Sequence, residues 1–353
     1  MRVAIVGATG MLGRHTLAAA AAAGHEVVAI ARSDSSLSRL GSAAPESRLA
    51  DLDDRESLRR ALQDVDAVVN CAGYYPTVPR PWRAEVETAT RQMENFYAAC
   101  AERPLQKIVY LGGAIALRRH PAGEPGDETL DYPGEPPTTN PYVRVKCALD
   151  VQARAKAREG LPVVIGIPTM TFGEYDYGPT TGRLIVEIAN RTLPGYVKGN
   201  RNVIYAGDAG RGLVRVCEQG RPGERYLLTG ENISMSELVT RIAQIAGVPV
   251  PRAIPLPIAR VASALQTARY KWLKGPVPRV DAAAIAVMSA GQFMNGAKAR
   301  DELGFTATET LDNAIKRALA WFRSNGYVKP HRSCHGRLER FRTVQDAQCG
   351  HVI

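Results

Sequence analysis

No stretch of this 353-residue chain stays apolar for long enough to cross a bilayer; such runs are short or broken by charge, and the alanine run near the start is small-sided and brief. Met1-Arg2 leads straight into the strand-like VAIVGA, so no secretion leader is expected. Six cysteines are scattered over long intervals, without the close pairing of a disulfide frame, and suit reduced thiols in a cytoplasmic protein. Cys334-His335 and Cys349-Gly350-His351 lack the short paired spacings of a zinc site, so no metal is expected. A formal charge of +10 comes without a basic run or a base-reading motif, which argues against nucleic acid as a partner. Anionic small molecules and phosphate-bearing cofactors account for that charge better.

What is present is alternation. RVAIVGA, EVVAIAR, DAVVNCAG, KIVYLGG and PVVIGIP read as branched-apolar strands, and the segments between them carry helical spacing. That order predicts an α/β fold of Rossmann type, a doubly wound parallel sheet with helices on both faces. Gly24 stands where the first helix needs a C-terminal cap, and Ser234 with Glu237 forms a capping-box pattern later in the chain. After about residue 170 regular alternation is lost until ERYLLTG. The expected organisation is a dinucleotide-binding domain over 1–168, a smaller substrate-binding region over 169–330 with segments free to rejoin the sheet, and a disordered tail over 331–353. PIARVASALQTARYKWLK is amphipathic and basic, as a membrane-surface helix would be, but is read as packed on the smaller region with its charged face in water. No stable membrane insertion is expected.

VAIVGATGMLG sets Gly7, Gly10 and Gly13 between a strand and a helix, where bare backbone and a helix N-terminus can approach a pyrophosphate. The second strand ends in Arg32-Ser33 rather than in an acidic residue. A guanidinium there can pair with a 2′-phosphate, so NADP is the expected cofactor, with NAD as the alternative. Asp51 and Leu52 suit the adenine edge, although Asp51 also has the makings of a turn residue.

Tyr142 and Lys146 lie four residues apart at the start of the helix that follows VYLGG, on one helical face and at the carboxyl edge of the sheet. The ammonium is expected to lower the phenol pKa toward neutrality. A second pair, Tyr270 and Lys274, lies far beyond the last regular strand and is read as a coincidence.

The glycine loop, Arg32, the YVRVK helix and the GIP strand together resemble the extended short-chain dehydrogenase/reductase superfamily, in its NAD-dependent epimerase/dehydratase and dihydroflavonol-reductase-like branch. GPTTGRLIVEIANRTLPGYV, GERYLLTGENISM and ALAWFRSNGY resemble the bacterial hopanoid-associated sugar epimerases. The resemblance covers residues 1 to about 328 and implies an oxidoreductase or epimerase-like enzyme moving hydride to or from a carbonyl or secondary alcohol of a small molecule, or alternatively a nucleotide-sugar epimerase or dehydratase with tightly bound NAD, with a homodimer admissible. It implies that Tyr142 is the general acid/base and Lys146 its electrostatic partner and ribose anchor. It would place a Ser or Thr at Gly113, so the missing hydroxyl raises a cofactor-binding sensor or scaffold as the rival reading. Cofactor contacts are expected from Gly7, Thr9, Gly10, Met11, Leu12, Gly13, Arg32, Asp51, Leu52, Ala72, Gly73, Lys146 and Pro168. Pocket candidates are Tyr74, Tyr75, Arg80 and Trp82 after the fourth strand, and Thr169, Thr171, Tyr175, Tyr177 and Arg183 after VVIGIP.

Overall fold

The computed structural model describes residues 1–43, 46–76, 80–273, 285 and 291–329. The side chains of Tyr270 and Lys274, and the tail from His331, lie outside the described residues. The strands are β1 (Arg2–Val6), β2 (Glu26–Ala31), β3 (Glu46–Leu49), β4 (Ala67–Asn70), β5 (Lys107–Leu111), β6 (Val163–Pro168), β7 (Met170–Phe172), β8 (Asn200–Tyr205), β9 (Arg225–Leu228) and β10 (Glu231–Ser234). The helices are α1 (Met11–Ala22), α2 (Asp34–Leu37), α3 (Arg55–Ala61), α4 (Trp82–Ala101), α5 (Pro141–Arg158), α6 (Arg183–Ala189), α7 (Ala206–Gln219), α8 (Met235–Ala246), α9 (Leu256–Leu273), α10 (Ala297–Leu303) and α11 (Leu311–Ser324).

Seven parallel strands form the main sheet in the order β3-β2-β1-β4-β5-β6-β9, reversing at β1/β4 as a doubly wound Rossmann sheet does. Both faces are covered, which is why these strands read as near-continuous apolar runs. Val6, Ile30, Val68 and Ile108 face Met93, Phe96 and Leu149 of α4 and α5 on one side. Ile5, Ala29, Val69 and Val109 face Leu17 of α1 and Leu213 and Val216 of α7 on the other. A three-stranded sheet, β10-β8-β7, leans on α6, α8 and α11 through Phe172, Val203, Leu238, Ile242 and Phe322. Gly24 has φ +82° just beyond α1, and Ser234 accepts a hydrogen bond from the Glu237 N–H at the start of α8, so both terminus signals appear in the backbone.

The loss of alternation after residue 170 is not a loss of regular structure. β7, α6, β8 and α7 occupy 170–219; α7 packs on one face of the main sheet and β9 then joins its edge. Gly207, Gly210 and Gly212 lower the helix propensity of α7 and hide it in the sequence. Packing requires at least one of them: a Cβ on Gly210 would lie 2.6 Å from the carbonyl carbon of His15, so α7 meets α1 backbone to backbone. The expectation that α9 buries its apolar face also fails, because Ile258, Val261 and Leu265 are exposed while Ala259 and Ser263 are buried.

Candidate active site

One cleft of about 1260 Å³ runs across the carboxyl edge of the main sheet. At its β1 end the glycine loop turns with Gly7 at φ +76°. A Cβ on Gly13 would stand 2.1 Å from the Gly7 oxygen, so α1 begins directly against the loop with no side chain between them. Asp54, Asn140 and Ser234 cap α3, α5 and α8, whereas Gly10 caps α1 without any side-chain acceptor and the first turn holds no acid. The amides at the head of α1 are therefore left for an external anion, and these residues fit a dinucleotide pyrophosphate.

At the end of β2, Arg32 lines the cleft together with Ser36 and Arg39. Neither guanidinium forms an ion pair among the described residues; Arg39 lies 4.7 Å over the ring of Tyr177. Sequence reading missed Arg39, which stands in a short 3-10 helix, Ser38–Ala43, beyond α2. Asp51 lines the cleft and is a turn residue too, its carboxylate accepting from the Asp53 N–H at 2.9 Å. Leu52 lies beside it. Buried Asn70, also missed, accepts from the Ala72 N–H at 3.0 Å and fixes the Ala72-Gly73 bend.

Asn140 caps α5 and accepts from the N–H groups of Tyr142 and Val143, which fixes the turn carrying the tyrosine. Lys146 follows one turn on and is buried, pairing with no carboxylate among the described residues; burial lowers its pKa from 10.5 to about 8. Tyr142 moves the opposite way from expectation. Burial, with the Tyr75 ring 5.0 Å away, raises its pKa to about 12, and the lysine is not among the causes. Gly113 sits where β5 gives way to the next loop, and its missing side chain would point at the stem of Lys146.

Thr9, Met11, Leu12, Tyr74, Tyr75, Pro168, Thr169 and Thr171 also line the cleft. Tyr74 donates its hydroxyl to buried Glu85. Arg80 lies 3.9 Å from that same Glu85, and Trp82 packs under Arg83 and Arg144, so neither reaches the cleft lining. Arg183 does not line it either; its guanidinium pairs with Glu187 one helical turn on, at 2.8 Å.

Asp176, Arg201, Asn202, Gln292 and Met294 also line the cleft and were not legible in the sequence. Asn202 accepts from the Thr169 hydroxyl at 2.7 Å and donates to Asn232, which exchanges hydrogen bonds with the backbone of Met294. Among the described residues no cluster of histidine, cysteine and carboxylates is arranged for a metal, and no helix is long and apolar enough to cross a membrane.

A Rossmann sheet with a bare glycine loop, and with a tyrosine and lysine of one helix opening into the same cleft, defines a nucleotide-dependent oxidoreductase or epimerase scaffold. Residues 3–229 match the model of the NAD dependent epimerase/dehydratase family, and the chain belongs to that family, within the extended short-chain dehydrogenase/reductases. It is similar to the solved structure of a nucleoside-diphosphate-sugar epimerase from Pseudomonas aeruginosa, 45% identical over 93% of this chain and 99% of that one, with a TM-score of 0.82. The sterol demethylase protein B of Methylococcus capsulatus is 27% identical over 93% of this chain and all of its own length. A Synechocystis protein provisionally named dihydroflavonol 4-reductase is 25% identical over 92% and 95%.

Proposed function

We propose that this chain is an NADP-dependent oxidoreductase that moves hydride to or from a carbonyl or secondary alcohol of a small molecule. The observation that carries the reading is the convergence of Tyr142, Lys146, the glycine loop and the Arg32/Arg39 pair on one cleft. The bound dinucleotide supplies the hydride donor or acceptor. Arg32 and Arg39 would pair with its 2′-phosphate, and the amides at the head of α1 would receive the pyrophosphate.

Tyr142 gives its phenolic proton to the alkoxide that forms during reduction and recovers it in the reverse direction. A phenol held well above neutrality is in its acid form at working pH, the form that reduction uses. Lys146 sets its ammonium near Gly73 and its stem against Gly113, and from there would stabilise the phenolate left behind and donate to a ribose hydroxyl. Tyr75 and Tyr142 form one wall of the substrate end and Met170 and Met294 add apolar surface, suiting a largely apolar substrate that is held in place by a few polar groups.

The 45% identical Pseudomonas relative supports a second reading, a nucleotide-sugar epimerase that retains NAD. Analysis of ligands copurifying with the protein, followed by NADPH oxidation over a panel of ketones, aldehydes and flavonoid- or steroid-like carbonyls, separates the two. Released NADP(H) with turnover on the panel supports the reductase. Retained NAD with a nucleotide sugar supports the epimerase, and tight cofactor binding with no turnover on either substrate class supports a sensor or scaffold.

A further inference from the structure

Helix α9 is amphipathic the wrong way round for a helix packed on a water-soluble surface. It sits on the protein through Ala259 and Ser263, small residues that are 9% and 2% exposed, while Ile258, Val261 and Leu265 are 59%, 61% and 66% exposed. At 3.6 residues per turn these three fall within an arc of roughly 60° that lies opposite the buried pair. They form a continuous aliphatic stripe rather than scattered surface residues, and such stripes mark interaction faces.

Along the chain the charge flanking this stripe is of one sign. From Val250 to Val280 the chain has no acidic residue and carries Arg252, Arg260, Arg269, Lys271, Lys274 and Arg279. A second copy of the chain is a poor occupant, because a two-fold pairing of α9 stripes would bring Arg260 and Arg269 against the same cations of the partner with no carboxylate on either helix. An apolar stripe set among cations complements a surface that is apolar beneath and anionic on top.

We propose that α9 docks the protein on an anionic lipid surface, its aliphatic stripe entering the boundary below the headgroups while Arg260 and Arg269 engage acidic headgroups. The helix is not a membrane span and is compatible with a protein that also exists free in water. Its position relates docking to the cleft: Ala259 and Val197 share one small apolar cluster, and Val197 lies just before Asn200 and Arg201, which line the substrate end. Docking there places that end of the cleft next to the lipid, where an apolar substrate is concentrated.

Flotation of the full-length protein with vesicles of phosphatidylcholine alone, and of phosphatidylcholine mixed with phosphatidylglycerol, tests this. The protein should float with the anionic vesicles and not with the neutral ones, and high salt should release it. Val261→Ser/Leu265→Ser and Arg260→Gln/Arg269→Gln should each lower the partition by about tenfold or more, with melting temperature and NADPH affinity unchanged. No flotation on anionic vesicles, or flotation untouched by Val261→Ser/Leu265→Ser, overturns the proposal. So does a concentration-dependent dimer, seen by light scattering, that the same variant dissolves.

Discussion

A Cβ built on Gly113 would stand 3.2 Å from the Cδ of Lys146 and 3.4 Å from its Cε, so the glycine after β5 and the lysine of α5 share one small volume. The position where the resemblance expects a hydroxyl is therefore partly filled by the lysine stem. Adding a side chain asks that stem to move by a few tenths of an ångström, which a flexible tetramethylene chain can do.

Gly113→Ala and Gly113→Ser separate the steric effect from the chemical one. The alanine variant should lose turnover severalfold, having displaced the lysine without adding a donor. The serine variant should stand at or above the parent on small carbonyls, since an oxyanion-type donor is worth about 10²–10³ in rate. Both should bind NADPH like the parent; a serine variant slower than the alanine one refutes the argument.

Tyr142→Phe should lower carbonyl reduction by about 10²–10⁴ in kcat, the usual worth of a positioned proton donor, with NADPH affinity unchanged. Single-turnover NADPH oxidation reads it directly. Retention of most of the activity would assign the proton to another group.

The Arg32/Arg39 pair should make the chain bind NADPH at least about tenfold more tightly than NADH, since charge-assisted bonds contribute ~1.5–3 kcal/mol each. Arg32→Ala and Arg39→Ala should each erode that ratio while leaving NADH binding nearly as it was. Calorimetric titration with the two cofactors decides it, and equal affinities in the parent exclude the NADP assignment.

Lys146 carries a pKa lowered by burial from 10.5 to about 8, and the sign of its effect on stability follows. Between those values the unfolded chain holds a proton that the folded chain has released, so stability rises with pH across that window. Below pH 8 the buried, unpaired ammonium is a standing cost. Lys146→Met should therefore stabilise the cofactor-free protein by about 1–3 kcal/mol at pH 7, with the gain fading toward pH 10. Urea unfolding of both proteins over that pH range is the check, and a less stable variant at pH 7 would show that the ammonium has a favourable partner.

Arg225 ties β9 to α5 one turn beyond Lys146, donating to Asp131 at 2.7 Å, to Asp150 at 3.2 Å and to the backbone oxygen of Glu128. It is 7% exposed. Arg225→Met should cost about 3–5 kcal/mol, because Asp150 is left buried without its cation. A loss below 1 kcal/mol in denaturant would mean that Arg154, 3.0 Å from Asp150, suffices alone.

The sequence by itself determined what is local. Strands buried on both faces must be apolar throughout, a loop meeting a pyrophosphate must be bare, and residues four apart on a helix must share a face; so β1, the Gly7–Gly13 turn and the Tyr142–Lys146 pair were all readable. Tertiary structure decided everything set by distant partners. The glycines of α7 look like helix breakers until α1 is seen packed against them, and Arg183 looks like a pocket cation until Glu187 takes it. Asn202 and Met294 reach the cleft only because β8 and the 291–294 segment fold back over it, joined through Asn232 by bonds that no periodicity records. Spacing put Tyr142 beside Lys146, but burial moved their proton affinities, and burial belongs to the whole packed fold. The outward turn of α9 was settled the same way: its pattern gave an apolar face and a basic one, and only the narrow seat offered to Ala259 and Ser263 fixed which face met the protein.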